Sequence, residues 1–424
     1  SLARTTSYTW VSGYNLPQTV TEPVWVNGSS GQRVTSWTYN SKNQPLSKSV
    51  TAPNGAGGND TRITSYAYNS EDRLSQVTDH QGIVTAIYYN TYGDVIARVE
   101  NPGTAAERVT RWGGHKADGL ARWSINQEGI ATLSEWDREG NLLETRQGVV
   151  SGVPNDLLLG AGTWFPVLSS TGIRQIGYSY NDVGLLQRID DVDGTYNELV
   201  YDQVNRLTAI KRFGLNNALV STTELTLDRM SNVTAVTLKN SSGQVIEKSG
   251  AIYDDQYRVS RLLNAAGEIL WSKTFDGMHN PLASVDALQR TTSSQFDALG
   301  RAFKQIDADG NAFNVTYGPQ NEIATAKDAR NVLTSYTYNG FGEMLTLASP
   351  DRGTWSFTYD AVGRHISTID PRGVVVTTAY DSLSRPLSRV FSDTNVSSGA
   401  VGFKPGIIAH AFTYDVCSHG RGRL

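Results

Sequence analysis

The chain has 424 residues, 39% of them apolar, with 40 glycines, 20 tyrosines and one cysteine. The 37 lysines and arginines nearly balance the 41 aspartates and glutamates, and no basic block occurs, so binding to nucleic acid through its phosphates is not expected. No run approaches the ~20 apolar residues of a membrane helix, so no membrane insertion is expected.

In chain order, the predicted elements are short strands separated by turns. Alternating stretches rich in aromatic and β-branched residues predict strands with one buried face. Many of these stretches end in an aromatic residue followed by Asn or Asp. In the first two thirds of the chain, the clearest examples are Tyr39, Tyr68, Tyr89, Tyr180, Tyr201 and Tyr253.

The repeat becomes regular in the last third. Five aromatic residues follow one another at intervals of 21 residues, namely Phe296, Tyr317, Tyr338, Tyr359 and Tyr380. Tyr414 is the last copy, 34 residues further on. A fixed period of this size predicts an array in which each repeat is one supersecondary piece packed against the next.

The residues after the aromatic predict a hairpin turn. An aspartate caps its own backbone, and a glycine three residues on accepts the left-handed conformation that closes a type I turn with a bulge. The residues of this motif are Asp297, Gly300, Arg301, Asp360, Gly363, Arg364, Asp381 and Asp415. A second turn, as at 307–310, follows half a period later, so each repeat has two strands and the chain is predicted to be a continuous antiparallel meander.

By this interpretation, roughly sixteen repeats fill residues 1–424 as a single array. An irregular insertion at about 148–177 is predicted to be a loop, a short helix at 156–159, or a plug folded against the sheet. A Ser/Gly-rich spacer occupies about 392–406. Because so many twisted strands cannot remain open and flat, and large aliphatic residues are few, we expect an all-β fold that curls into a spiral, hollow, shell-like wall.

The sequence Tyr-Asp-x-x-Gly-Arg, as at 359–364, resembles the YD repeat of the Rhs family over essentially the whole chain. This family includes bacterial polymorphic toxins, the B and C components of Tc insecticidal toxin complexes, and the teneurins. The resemblance implies a secreted virulence protein, delivered from or displayed on a bacterial cell, in which a β-shell encloses a C-terminal toxin. The implied partners are that toxin, the remaining shell segments of the same polypeptide or a partner subunit, and a secretion apparatus such as type VI.

The chain also departs from the family pattern. The core-associated region and toxin expected after the repeats are absent, so we expect this soluble chain to be a fragment of a larger polypeptide. The segment 370–373 imitates the Asp-Pro-x-Gly-Leu cleavage signature but falls on an ordinary turn and lacks the leucine. No self-cleavage is therefore expected there.

The remaining chemical candidates are weak. Cys417 and His419 are close together, but no third orienting group is evident. The aspartates at 190–193 lack the acidic residue that would close a calcium loop. We expect no catalytic residue, metal or cofactor, and predict a structural encapsulation module that is not an enzyme. The alternative is a cell-surface adhesin module for carbohydrate or protein, because two repeats have the size of a propeller blade.

Overall fold

The computed structural model describes residues 5–26, 29–104, 107–150, 152–154, 156, 159–169, 172–381, 383–393 and 408–414. Its first eleven strands are β1 (Ser7–Trp10), β2 (Pro17–Val26), β3 (Ser29–Tyr39), β4 (Pro45–Pro53), β5 (Asn59–Tyr68), β6 (Leu74–Thr78), β7 (Val84–Tyr89), β8 (Val95–Glu100), β9 (Arg108–Gly113), β10 (Trp123–Ile125) and β11 (Ile130–Trp136).

The next eleven strands are β12 (Leu142–Val149), β13 (Arg174–Tyr180), β14 (Leu186–Asp191), β15 (Tyr196–Tyr201), β16 (Leu207–Phe213), β17 (Leu219–Leu227), β18 (Val233–Asn240), β19 (Val245–Tyr253), β20 (Val259–Leu263), β21 (Ile269–Phe275) and β22 (Pro281–Asp286). The last eleven are β23 (Thr291–Phe296), β24 (Ala302–Ile306), β25 (Ala312–Tyr317), β26 (Ile323–Lys327), β27 (Leu333–Tyr338), β28 (Met344–Ser349), β29 (Gly353–Tyr359), β30 (His365–Ile369), β31 (Val374–Tyr380), β32 (Pro386–Asp393) and β33 (Ile408–Ala411).

The 33 strands belong to one sheet, and consecutive strands pair antiparallel from β1 to β7, from β9 to β24 and from β25 to β33. The described residues contain no α-helix, only the 3-10 turns Leu159–Ala161 and Leu215–Asn217. The predicted all-β antiparallel meander is confirmed. Within the described part of the chain, no helix has the length and hydropathy needed to cross a bilayer.

The chain divides into two compact units. Lobe 1 comprises residues 1–88, 98–109 and 312–424, and lobe 2 comprises residues 89–97 and 110–311. Lobe 1 therefore brings strands from both ends of the sequence into one unit.

The strands follow the alternation in the sequence. In β5, exposed and half-buried side chains alternate over all 10 residues, as expected for a strand with one covered face. Fully buried side chains are few among the described residues, and the largest are Trp123, Ile96, Ile125, Val24 and Val99.

The insertion at 148–177 is described except for residues 151, 155, 157, 158, 170 and 171. Val150 forms an isolated antiparallel bridge with Leu168, and Trp164 packs edge-on against Trp123 with ring centroids 5.4 Å apart. Of the three interpretations of the sequence, these contacts correspond to a plug folded against the sheet. The 3-10 turn at 159–161 stands close to the predicted helix, part of which falls outside the described residues.

The plug covers the one cluster of buried apolar residues found in the described part of the chain. In the pairing of β10 with β11, Trp123 lies opposite Leu133 and Ile125 lies opposite Ala131. These four side chains therefore lie on the same face of the sheet. Trp164 and Leu168, with Val153, pack on them. The predicted spacer at 392–406 lies outside the described residues except for residues 392 and 393, which end β32.

Candidate functional site

The repeated turn recurs along the described part of the chain, and the turn at 360–364 shows its geometry. The amide of Gly363 donates to the Asp360 carbonyl oxygen at 2.9 Å, and the Asp360 amide donates to the Arg364 carbonyl oxygen at 3.0 Å. Asp360 Oδ1 accepts the amides of Val362 and Arg364 at 3.2 and 2.9 Å. Gly363 has φ +88°, a left-handed conformation that glycine adopts at low cost. The turn is a type I turn closed by a bulge.

The arginine at the end of the turn reaches forward to the next repeat. Arg364 Nε donates to Asp360 Oδ2 at 2.6 Å, and its Nη1 donates to the carbonyl oxygen of Asp381 at 3.2 Å. Arg206 and Arg258 do the same in lobe 2, with forward bonds of 2.8 and 3.0 Å to the carbonyl oxygens at 228 and 276. Each arginine thus ties two successive turns together.

The tyrosine reaches backward. The hydroxyl of Tyr380 donates to the His365 carbonyl oxygen at 2.8 Å, and that of Tyr201 donates to the Leu186 carbonyl oxygen at 2.7 Å. In each case the acceptor begins the strand that follows the preceding turn. The same bond is made by Tyr39, Tyr68, Tyr180 and Tyr253.

The other predicted motif residues lie as follows. The aromatic residues Tyr89, Phe296, Tyr317, Tyr338 and Tyr359 each end a strand. Asp297 accepts from Arg301 Nε at 2.7 Å, and Gly300 has φ +76°. Asp381 accepts from Arg385 Nε at 2.7 Å, and the Arg385 guanidinium lies 4.4 Å from the ring centroid of Tyr414. Asp415 lies outside the described residues.

These contacts also shift proton affinities. The Arg301 hydrogen bond, with the amide of the same residue, holds the pKa of Asp297 below its usual value. Burial raises the pKa of Tyr338 and Tyr359 above the usual value of a phenol. The first effect favours the charged carboxylate that pairs with Arg301, and the second favours the protonated hydroxyl of the two tyrosines.

The predicted chemical candidates that the structure describes are not brought together into a reactive group. Among the described residues, no cluster of three or more His, Cys, Asp or Glu could hold a metal ion. Asp190 is paired with Arg188 at 2.6 Å, and Asp193 accepts from Thr195 at 2.7 Å, so both carboxylates are used locally. Cys417 and His419 lie outside the described residues.

A pocket of about 860 Å³ opens in lobe 2, lined by residues 90, 92, 94, 114–119 and 160–162. Its rim carries Tyr92, which is 88% exposed. Lys116 Nζ donates to the Asp137 carbonyl oxygen at 2.5 Å and lies 3.3 Å from Asp118. Polar and apolar atoms contribute about equally to the lining of the pocket, which lies where the plug meets the sheet.

Sequence analysis missed a set of contacts in lobe 1 that we call the seam, formed by residues 52–62 with residues 339–345. Gly340 N donates to the Pro53 carbonyl oxygen at 2.6 Å. Arg62 Nη2 donates to Glu343 Oε1 at 2.8 Å, and its guanidinium carbon lies 3.7 Å from the ring centroid of Phe341.

The seam is well shielded from solvent. The side chains of Arg62 and Glu343 are only 15% and 17% exposed, and Asn339 is 3% exposed. A second bond in lobe 1 also joins segments far apart in sequence: the Ser384 hydroxyl donates to Gln81 Oε1 at 2.7 Å. One sequence signal could have pointed to the seam: Glu343 stands where the regular turns carry arginine.

The sequence matches no protein-family model and no curated protein. Among solved structures, the crystal structure of TcdB2-TccC3-TEV matches 95% of this chain and 24% of its own chain, with 13% identity and a TM-score of 0.56. The structure of the Photorhabdus luminescens Tc holotoxin pore matches 89% of this chain and 24% of its own, with 13% identity and a TM-score of 0.42. The chain thus spans about a quarter of the length of these chains, and the first match shows a shared fold.

Proposed function

We propose that this chain is a segment of the wall of a hollow β-shell, and that the shell encloses a toxin in a bacterial toxin complex. The observation that carries the proposal is the match of nearly the whole meander, 95% of the chain, to the TcdB2-TccC3-TEV structure. The YD-like motif in the sequence supports the same assignment. In this role the chain has no enzymatic activity of its own.

The contacts between repeats suit a wall. The tyrosine hydroxyl binds backward and the arginine binds forward, so a repeat that carries both, as at Tyr201 and Arg206 or at Tyr253 and Arg258, is tied to both neighbours without a thick core. Most strand side chains are half-buried rather than buried. A sheet stabilised along its length in this way can leave one face uncovered, as a wall facing an internal space requires.

The proposed partners are an enclosed toxin and further wall segments, and the proposed location is outside the producing bacterial cell. Protease protection tests this role in a longer polypeptide that joins the chain to its toxin. We expect the toxin segment to resist a protease concentration that digests the same segment alone. Digestion of both at the same rate would contradict encapsulation.

One observation favours the alternative function, an adhesin module for carbohydrate. The pocket at 90–94, 114–119 and 160–162 places an exposed tyrosine ring beside Asn and Asp side chains, a combination that can stack on a sugar ring and hydrogen-bond its hydroxyls. A glycan array probed with the purified chain tests it, with Tyr92→Ala as the control expected to lose binding. An array without any signal rejects this alternative.

A further inference from the structure

The repeated turns of lobe 2 lie in a row along one edge of the sheet. Strands β13 to β24 pair consecutively, and each repeated turn joins an odd-numbered strand to the next strand. Successive turns are therefore two strands, or about 10 Å, apart. We call these six turns, at 181–185, 202–206, 228–232, 254–258, 276–280 and 297–301, the turn row.

Every turn of the row exposes an apolar side chain. It is the third residue of five turns and the fourth residue of the turn at 254–258. All six side chains are 55–70% exposed, namely Val183, Val204, Met230, Tyr257, Met278 and Leu299. The turns at the opposite edge of these strands are less uniform, because Val192, Leu215 and Leu288 are exposed there but the turns at 240–244 and 264–268 carry no large apolar residue. A row of exposed apolar side chains is typical of an interaction surface.

Lobe 1 shows what covers such turns. There the third residues Phe341 and Val362 are half-buried. Residues 54–62 of the seam lie against both turns: the Arg62 guanidinium rests on the ring of Phe341, and Arg62 Nε donates to the Ala361 carbonyl oxygen at 3.4 Å. The covering segment is a hairpin that joins β4 to β5, at the edge opposite the repeated turns of those strands. A hairpin from the other edge of a meander, with the cation that follows it, thus covers the repeated turns.

Lobe 2 carries a hairpin of the same kind at residues 240–248. Asn240 Oδ1 accepts the amides of the third and fifth residues of its turn at 3.1 and 2.9 Å, as Asn54 Oδ1 does at 3.0 and 3.2 Å. Lys248 follows the last residue of the turn by four positions, as Arg62 does in the seam. Residues 241–248 are all exposed, so this hairpin is open to a partner.

We propose that copies of this chain associate through these two surfaces, with the hairpin 240–248 of one copy on the turn row of the next copy. The contact repeats between copies what the seam does within lobe 1: the hairpin covers the apolar side chains of the row, and Lys248 takes the place of Arg62. Because the two surfaces lie at opposite edges of the same strands, the interface is heterologous and joins copies head to tail. This association is independent of whether the chain encloses a toxin.

The charges of the two surfaces are complementary at two turns of the row. Asp182 and Asp255 are exposed at the second positions of their turns, whereas Arg229 holds that position in a third turn. A lysine is a compact cation on a flexible stem, so Lys248 suits either carboxylate. We expect this pair to determine where the hairpin docks along the row, and the apolar contacts to supply most of the affinity.

Sedimentation velocity of the purified 424-residue chain over a range of concentrations tests the association. We expect the average mass to rise with concentration. The double substitution Val204→Asn and Tyr257→Asn removes two apolar groups of the row, and Lys248→Glu reverses the charge of the hairpin; each variant should stay monomeric over the same range. Val167→Asn is the control, since Val167 is 80% exposed outside both surfaces, and it should associate like the wild type. A wild-type chain that is monomeric at every concentration would overturn the proposal and leave the row to another partner.

Mixing the two variants tests the head-to-tail geometry. The row variant keeps an intact hairpin and the Lys248→Glu variant keeps an intact row, so we expect an equimolar mixture to form a dimer and nothing larger. All substituted side chains are exposed, so the circular dichroism spectrum of each variant should match that of the wild type. A mixture that stays monomeric while the wild type associates would overturn the proposal, as would variants that associate as well as the wild type.

Discussion

At the scale of single residues, the stability of each repeat depends on a few hydrogen bonds that recur with it. The tyrosine hydroxyl is one of them: in Tyr201 it donates to the Leu186 carbonyl oxygen at 2.7 Å. Because this bond links the end of one repeat to the start of a strand in the preceding one, losing it weakens the contact between repeats rather than a single turn.

Tyr201→Phe removes this hydroxyl and keeps the ring. We expect the free energy of unfolding to fall by about 1 kcal/mol, because a half-buried carbonyl oxygen loses its donor. The control is Tyr92→Phe, since Tyr92 is 88% exposed and should change stability little. Thermal unfolding followed by circular dichroism measures both, and an equal effect of the two substitutions would contradict the assigned role.

At the scale of elements, the plug is the place where the meander gains a second layer. Gly160 is buried at the contact, where a Cβ would clash with the carbonyl oxygen of Trp112 and reach within 3.0 Å of Ile96. This close approach explains why a glycine stands at the tip of the plug. Trp164 then fills the space above β10, against Trp123.

Trp164→Ala should release the plug from the sheet. We expect a loss of about 2 kcal/mol, below the ~3–5 kcal/mol of fully buried aromatic residues because Trp164 is half-buried. Phe165→Ala is the neighbouring control, since Phe165 is 41% exposed. Unfolding followed by tryptophan fluorescence reports the difference, and equal losses in the two variants would argue against a packed plug.

The seam is the second element-scale feature, and two glycines of one loop give a matched test of it. Gly55 and Gly57 have φ +85° and +93°, so an alanine is strained at either position. A Cβ at Gly55 would also overlap the side chain of Leu345, whereas a Cβ at Gly57 would meet nothing within 4 Å.

Gly55→Ala is expected to lower the melting temperature more than Gly57→Ala. The backbone strain of about 1 kcal/mol is common to both, while displacement of Leu345 adds about 1–3 kcal/mol at Gly55 alone. Differential scanning fluorimetry of the two variants measures the gap. Identical melting temperatures would mean that the loop does not rest on Leu345 in solution.

At the scale of the whole molecule, the proposed hollow wall makes a prediction for scattering. A solid globule of this length would have a radius of gyration of about 22 Å. We expect small-angle scattering of the purified chain to give a clearly larger value, with the pair-distance distribution shifted toward long distances. A value near 22 Å with a symmetric distribution would favour the adhesin module instead.

Local patterns made much of the architecture predictable. The alternation before Tyr359 and the Asp-x-x-Gly phrase after it determine a strand and a turn from neighbouring residues alone, and the structure has β29 and a bulged type I turn there. The pairing of Arg62 with Glu343 was not predictable in this way: Glu343 departs from the arginine of the regular turns, but no neighbouring residue identifies a partner 281 residues away. The plug could only be given as one of three alternatives, since Trp164 stands among glycines and prolines without alternation.

The sequence separation at the seam also sets an order of events during folding. Hairpins join neighbouring strands, so each can form as soon as its own residues are available, with little loop-closure entropy to overcome. The contact between Arg62 and Glu343 requires residues from both ends of lobe 1, and is expected to form after the hairpins. Substitutions that weaken the seam should then raise the unfolding rate of lobe 1 and leave the rate of hairpin formation unchanged. We therefore expect this contact to determine the kinetic stability of lobe 1.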